Sequence, residues 1–306
     1  MERTMLKSAL LYIATLIVIG VLAFKVDLPI TDAQKILFCS VTKVMLVIAA
    51  LCFIVGEISR NFSQVDKLWS LVPVLYAWVA TVQGGMEPRM VLAASVATVW
   101  GIRLTFNFAR HGGYSWKFWT GNEDYRWEHV RKMPGLGNPV MWALFDLGFI
   151  SLYQNALLLG LALPIVLLHG TGEPTLVDYA IAALFIGFVL MESLADEQQQ
   201  KFQNEKKRRI KAGQNLDGDY ANGFISTGLW SRSRHPNYFA EQSLWVTFFL
   251  FSVSATGLLN WTIAGSLLLI MLFRASSNLS ENIQAGKYPS YPEYQKRVPR
   301  FLPKIF

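Results

Sequence analysis

The sequence predicts an all-α fold, a multi-pass membrane helical bundle of about eight transmembrane helices with both termini cytoplasmic. Three observations lead there. Hydrophobic residues make up 53% of the 306 positions and charged residues only 16%, where soluble domains carry roughly 25% charged residues. The apolar residues gather into runs of about 20, the length a helix needs to cross a hydrocarbon core. Lysine and arginine divide unequally between the loops on alternate sides.

Eight runs qualify, at roughly 8–24, 36–56, 68–84, 89–109, 139–168, 175–195, 238–256 and 258–275. No small-residue cleavage pattern follows the first, so it reads as a retained span rather than a signal peptide. The fifth is long enough to tilt, or to bend at Pro164. The seventh and eighth, parted by Gly257 and its neighbours, form a tight hairpin. With both termini inside, 23 of the 28 basic residues fall in inside segments and three (Lys25, Lys35 and Arg89) outside. Lys43 and Arg103 lie within spans. The loops at 110–138 and 196–237 and the tail from Arg274 then share the cytoplasmic side. The net charge of +7 is a topological signal, and nothing suggests nucleic-acid binding.

The chain carries no internal repeat and no low-complexity segment. Residues 1–60 separate as N-terminal spans from a domain over 61–306. Cys39 and Cys52, in one apolar run, offer neither a disulfide framework nor metal spacing. His111, His129, His169 and His235 are scattered, so no metal site is expected. The expected setting is the endoplasmic reticulum membrane if the source is a eukaryote, or the inner membrane if it is a bacterium.

Polar residues inside apolar runs are the candidates for function, because an arginine at a helix centre costs about 2.5–3.5 kcal/mol on insertion scales. Arg103 sits in the fourth span with Asn107 and Arg110 at i+4 and i+7, on one helical face. Snorkelling to the headgroups accounts for Arg103 alone; a polar stripe of that length favours a lined cavity. The sixth span ends in ESLADEQQQKF, with Glu192, Asp196 and Gln199 at the same spacing. A carboxylate pair one turn apart can bind a cation, accept from sugar hydroxyls or pair with arginines. Asp146, in the fifth span, reads as a structural acid paired with Lys43 or Arg103.

The densest polar stretch is SRSRHPNYFAEQ at 231–242. Pro236 suits the first turn of a helix, so the seventh span starts there. A helix start presents free N–H groups and a partial positive charge. Arg232, Arg234 and His235 would make it an anion site at the membrane surface. Asn237 and Glu241 continue the polar line one turn inward, and a buried Glu241 must be paired or protonated. A positive-inside anchor explains the arginines but not Asn237 and Glu241. The tail, with Tyr288, Tyr291, Tyr294, Pro292, Pro299 and Pro303, argues against a long regular helix. Its aromatic and basic residues suit docking over a phosphate-bearing ligand or at an interface.

These stretches carry a resemblance. TGLWSRSRHPNYFAEQ, a hairpin, SxxSE and KYPxYxxYQKRVPRFLP are similar to the C-terminal domain of the steroid 5α-reductase superfamily. SQVDKLWSLVP at 63–73, WGIRLTFNFAR at 100–110, EDYRW at 123–127 and ESLADEQQQKF resemble a subfamily labelled a domain of unknown function (number 1295). The likeness runs from about residue 60 to the C-terminus. Isoprenylcysteine methyltransferases share RHPxY and the tail, but usually carry paired glutamates where this chain has Glu281 followed by Asn282.

The resemblance implies a reductase that takes a hydride from NADPH within the bilayer and delivers it to an enone-like lipid, with a general acid polarising the carbonyl oxygen. It implies that Arg234, His235 and other basic residues meet the phosphates. Asp196, Asn237, Glu241, Tyr220 and Tyr294 would hold the sugars and nicotinamide, with Gln199, Tyr238 and Glu281 in the same cofactor-binding set. Arg103 and Arg110 would match the family's fourth-span arginines. Glu57 would match the catalytic glutamate. The tyrosine that partners it is replaced by Trp100, which has no phenolic proton, so Tyr76 or Asp66 would have to stand in. Two other functions stay open. One is an S-adenosylmethionine-dependent methyltransferase of a membrane-embedded thiol or amine. The other is a lipid-binding protein on an enzyme scaffold without chemistry, which the missing tyrosine favours.

Overall fold

The computed structural model describes residues 30–117 and 119–304. The expected span at 8–24 lies outside them. Among the described residues every regular element is helical. Five helical segments are long and apolar enough to cross a membrane: Asp32–Ser59, Pro88–Arg110, Pro139–Leu168, Leu176–Lys211 and Ile263–Lys287. The chain is therefore built as a multi-pass membrane protein. It packs as two units, residues up to 182 with 247–268, and residues 183–246 with 269 onward.

In the first unit, α1 (Asp32–Ser59) opens with a capping box. Thr31 Oγ1 accepts from the Gln34 backbone at 3.2 Å, and the Gln34 side chain accepts from the Thr31 backbone at 3.1 Å, pairing two of the donors a helix start leaves free. Of the expected third span at 68–84, only α3 (Val72–Gln83) forms a helix, following the short α2 (Gln64–Leu68) and a turn. Twelve residues in α3 reach only about 18 Å. Pro88 occupies the first turn of α4 (Pro88–Arg110). α3 and α4 approach closely at Gly101, where a Cβ would stand 2.5 Å from Val74 Cγ2. After α5 (Tyr125–Arg131), the expected fifth span is composite: α6 (Pro139–Phe145), a π-helical stretch (Asp146–Tyr153), α7 (Gln154–Ala162) and a 3-10 turn (Leu163–Leu168). Pro164 has no N–H to donate, and the α-helix yields to the tighter turn there. The π stretch, a widening rare outside functional or strained sites, is not visible in the sequence.

Two further sequence expectations change in this unit. Arg89, counted above as an outside-loop cation, is buried. It pairs with Asp178 at 3.1 Å, with both side chains 5% exposed or less, and it donates to the Thr171 carbonyl at 3.1 Å. Asp146 pairs with neither Lys43 nor Arg103; its Oδ1 accepts from Ser151 at 3.0 Å.

α8 (Leu176–Lys211), α10 (Pro236–Thr256) and α11 (Ile263–Lys287) each run through both units. α10 starts at Pro236, as the proline position predicts. α11 starts at Ile263 rather than 258, because Asn260 Oδ1 accepts from the Thr262 backbone at 3.2 Å and its hydroxyl at 2.6 Å, ordering 257–262 as a turn. Within the first unit α11 meets α7 at Gly265 and Gly160, where a Cβ on Gly265 would lie 2.2 Å from the Gly160 carbonyl carbon. Such glycine crossings let helix backbones touch in a membrane.

The second unit adds α9 (Gly218–Asn222) and α12 (Tyr291–Arg297). Its tail lies in extended contact with the residues before α10. Arg234 N donates to Pro299 O at 2.9 Å, His235 N to Arg300 O at 3.0 Å and Lys304 N to Arg232 O at 2.9 Å. Beneath it Tyr291, Tyr294 and Val298 pack with Phe224 and Tyr288.

Candidate functional site

Glu281 is the centre of the second unit's charged cluster. Its carboxylate is 2% exposed and takes Arg234 at 2.7 Å, His235 at 2.9 Å and Arg300 at 3.1 Å, with Gln295 Nε2 at 2.9 Å. The Arg234 guanidinium also donates to Gln295 O at 2.9 Å and to Val298 O. All three nitrogens of this arginine's planar fork are thus directed at acceptors inside the unit, in four hydrogen bonds. A guanidinium used in this way binds the tail to the start of α10. Arg232 and Arg274, by contrast, are exposed.

Beside this clasp the structure brings together two stretches distant in sequence: Asn237 Nδ2 donates to Asp196 Oδ1 at 3.1 Å. Tyr238 stacks on His235 with ring centroids 5.3 Å apart and meets Phe273 at 4.5 Å. Glu241 is buried and accepts from Trp245 Nε1 at 3.0 Å. On the Asp196 face of α8, Gln199 Oε1 is buried and has no hydrogen-bond partner among the described residues.

Two other expected ligands make packing contacts within the second unit. Tyr220 stacks on Phe202 at 5.2 Å, and the Arg209 guanidinium lies 4.1 Å from its ring. Tyr294 is 2% exposed and donates its hydroxyl to Trp230 O. Burial pushes the Tyr294 phenol above its usual range and that of Tyr291 up to about 12.

In the first unit Arg103 is half-buried on α4, and Arg110 Nε donates to Asn107 Oδ1 at 2.8 Å, along the expected face. Glu57 pairs with Arg60 at 2.6 Å. Trp100, at the expected tyrosine position, is fully buried. Tyr76 is 1% exposed, and its hydroxyl has no hydrogen-bond partner among the described residues. The Asp66 carboxyl is enclosed although the residue keeps partial exposure. Burial raises it above the usual carboxylate range, against the attraction of Arg126. Lys67, next in the chain, is 1% exposed and lowered by burial.

The segment 119–131 is tied over this region. Glu123 Oε1 accepts from the Phe62 backbone at 2.9 Å and from Arg131 Nη2 at 2.9 Å. Asn61 donates to Gly121 O at 3.0 Å, and Gln64 to Trp119 O at 3.2 Å. The Arg131 guanidinium lies 4.6 Å from the Phe62 ring and 4.7 Å from Trp142. These residues, with Arg60, Leu136, Gly137 and Pro139, line an open cleft of about 260 Å³. Lys67 and Arg131 are not distinguished by the sequence. The first follows from burial of its short helix and the second from a fold that stacks it on two rings.

The chain matches the family described as "protein of unknown function (DUF1295)" over residues 52–298. It belongs to the DUF1295 family. The match holds both the Asp196–Asn237 pair and the Arg131 cleft, and stops short of Arg300. An uncharacterized protein of the fission yeast Schizosaccharomyces pombe is 34% identical over 278 residues, spanning 83% of this chain and 78% of that one. No solved structure matches.

Proposed function

We propose that this DUF1295 chain is a membrane-embedded reductase of the steroid 5α-reductase superfamily, an oxidoreductase acting on a conjugated carbon–carbon double bond of a steroid-like or other lipid. NADPH, when bound, would supply the hydride. The reading rests first on the Asp196–Asn237 hydrogen bond, 3.1 Å long, which joins ESLADEQQQKF to RHPNY, two stretches that carry the superfamily resemblance. The chemistry of the surrounding groups fits a nucleotide. Asp196, Asn237 and the unpartnered Gln199 Oε1 suit hydroxyl and amide groups, and Tyr238 offers a ring face. Arg234 and His235 hold the pocket in place through Glu281, and the exposed Arg232 and Arg274 are the guanidiniums left for phosphates. The proton donor is proposed to be Tyr76, whose buried hydroxyl is unspent, or Asp66, whose enclosed carboxyl favours its acid form; a buried acid donates best in its neutral form. Glu57, paired with Arg60 at 2.6 Å, would match the superfamily's catalytic glutamate. The distribution of lysine and arginine supports eight spans with both termini cytoplasmic, in the endoplasmic reticulum membrane or a bacterial inner membrane.

The full burial of Trp100 at the expected tyrosine position favours a second reading, lipid binding without chemistry. Thermal melts of the detergent-purified chain with NADPH, NADH or S-adenosylmethionine separate the readings. A ligand at 100 times its Kd adds about 2.7 kcal/mol of stability. NADPH is expected to raise the melting temperature, and Asn237→Ala to remove that shift. A response to S-adenosylmethionine alone would instead identify a methyltransferase, and no response to any would favour the lipid binder.

A further inference from the structure

The cleft between the end of α1 and the start of α6 combines four features outside the cofactor residues of the proposed reductase, although its Arg60 pairs with Glu57, which that reading does use. It is open, at about 260 Å³. It holds two guanidiniums, of which Arg60 is 71% exposed at the side chain and Arg131 35%. Its walls are the rings of Phe62 and Trp142, in edge contact at 5.1 Å, and Trp142 Nε1 is buried with no hydrogen-bond partner among the described residues. It also joins the ends of two candidate spans, Asp32–Ser59 and Pro139–Leu168; if both cross the bilayer, the cleft would lie near the headgroups.

A guanidinium carries five N–H donors. Glu57 takes one Arg60 nitrogen and Glu123 one Arg131 nitrogen; the remaining nitrogens of both have no partner among the described residues. Glu57 and Glu123 offset the two charges, and Asp146 also lies within electrostatic reach of Arg131, so recognition here would depend on directed N–H groups rather than on a strong positive field. The rings hold the Arg131 plane fixed, which reduces the ordering cost of presenting its fork to a ligand. Planar, preordered donors match the oxygens of a phosphate. Apolar Leu136 and Pro139 line the same cleft, and Val140 and Met141 beyond them are exposed, a surface suited to acyl chains.

We propose that this cleft is a binding site for a phosphate group, gripped by Arg60 and Arg131 against the Phe62 and Trp142 rings. A phospholipid headgroup or a soluble phosphate could provide it, and one experiment distinguishes them. The detergent-purified full chain is melted with dioleoylphosphatidylglycerol, with dioleoylglycerol (the same chains without phosphate) and with inorganic pyrophosphate. A shift with phosphatidylglycerol but not with dioleoylglycerol assigns the site to lipid. A shift with pyrophosphate of equal size assigns it to free phosphate. Arg60→Asn suits the left-handed backbone there (φ 54°) and keeps the fold. It should weaken the response roughly fivefold in apparent affinity. Arg131→Lys keeps the charge and loses the stacked fork, and should remove the response. Equal shifts with phosphatidylglycerol and dioleoylglycerol, no shift with any probe, or full affinity in Arg60→Asn would each overturn the proposal.

Discussion

Arg234, just before α10, and Arg131, at the end of the short α5, are both arginines beside a carboxylate, and the structure uses them in opposite ways. Arg234 is 9% exposed and its fork is divided among Glu281 and two backbone carbonyls. Arg131 meets one carboxylate, lies against two rings and keeps its remaining edge toward an open cleft. Charge density in the sequence does not separate them, since RSRHP is the denser cluster. What separates them is how many donors the fold has already spent. A saturated arginine is a clasp, and an unsaturated one can still take a ligand.

That distinction orders the expected effects. Glu281→Ala should cost most. It leaves the buried Arg234 without its carboxylate, and breaking a buried ion pair costs about 3–5 kcal/mol. The variant's detergent melt should fall sharply, with the tail from Tyr288 becoming the first proteolytic cut. A near-normal melt would mean that the clasp is dispensable. Tyr294→Phe removes one satisfied buried hydrogen bond and should lower stability by about 1 kcal/mol. Asp66→Asn should act with a definite pH dependence. Burial raises the Asp66 carboxyl in the fold, so the folded state holds its proton more tightly than the unfolded chain. Stability then declines as pH rises above the ordinary carboxylate range of about 4. The asparagine variant escapes that loss, so its melt should exceed the parent's at neutral pH and converge on it near that range. Tyr76→Phe should change stability least, because the hydroxyl it removes has no partner among the described residues. A cost equal to that of Tyr294→Phe would show that the Tyr76 hydroxyl is spent.

Much of the architecture was legible in apolar run length and proline position. Pro236 marked the start of α10, and Pro164 the place where the fifth span gives up α-helical form. The sequence overestimated regularity where an apolar run conceals a change of helix type: Asp146–Tyr153 is as apolar as its neighbours, and nothing in composition distinguishes a π turn from an α turn. Residues 68–84 were apolar enough for a span but divide at the turn of 69–71, leaving α3 short. At the candidate site, Asp196 and Asn237 could be proposed from helical spacing, and they do meet. The resemblance alone implies Tyr220 and Tyr294 as ligand contacts; Tyr220 is half-exposed and stacks on Phe202, and Tyr294 is buried beside Phe224 and Tyr291. Arg131 and Lys67 could not be found at all. Their environments are made by contacts with Phe62, Trp142 and the 119–124 segment, which no local pattern encodes.

The most direct test pairs the two arginines. Arg234→Lys and Arg131→Lys are melted in detergent with and without dioleoylphosphatidylglycerol. If donor saturation decides function, Arg234→Lys melts at a lower temperature and keeps the lipid shift, while Arg131→Lys loses the shift. Loss of the shift in Arg234→Lys, or its retention in Arg131→Lys, would contradict the account.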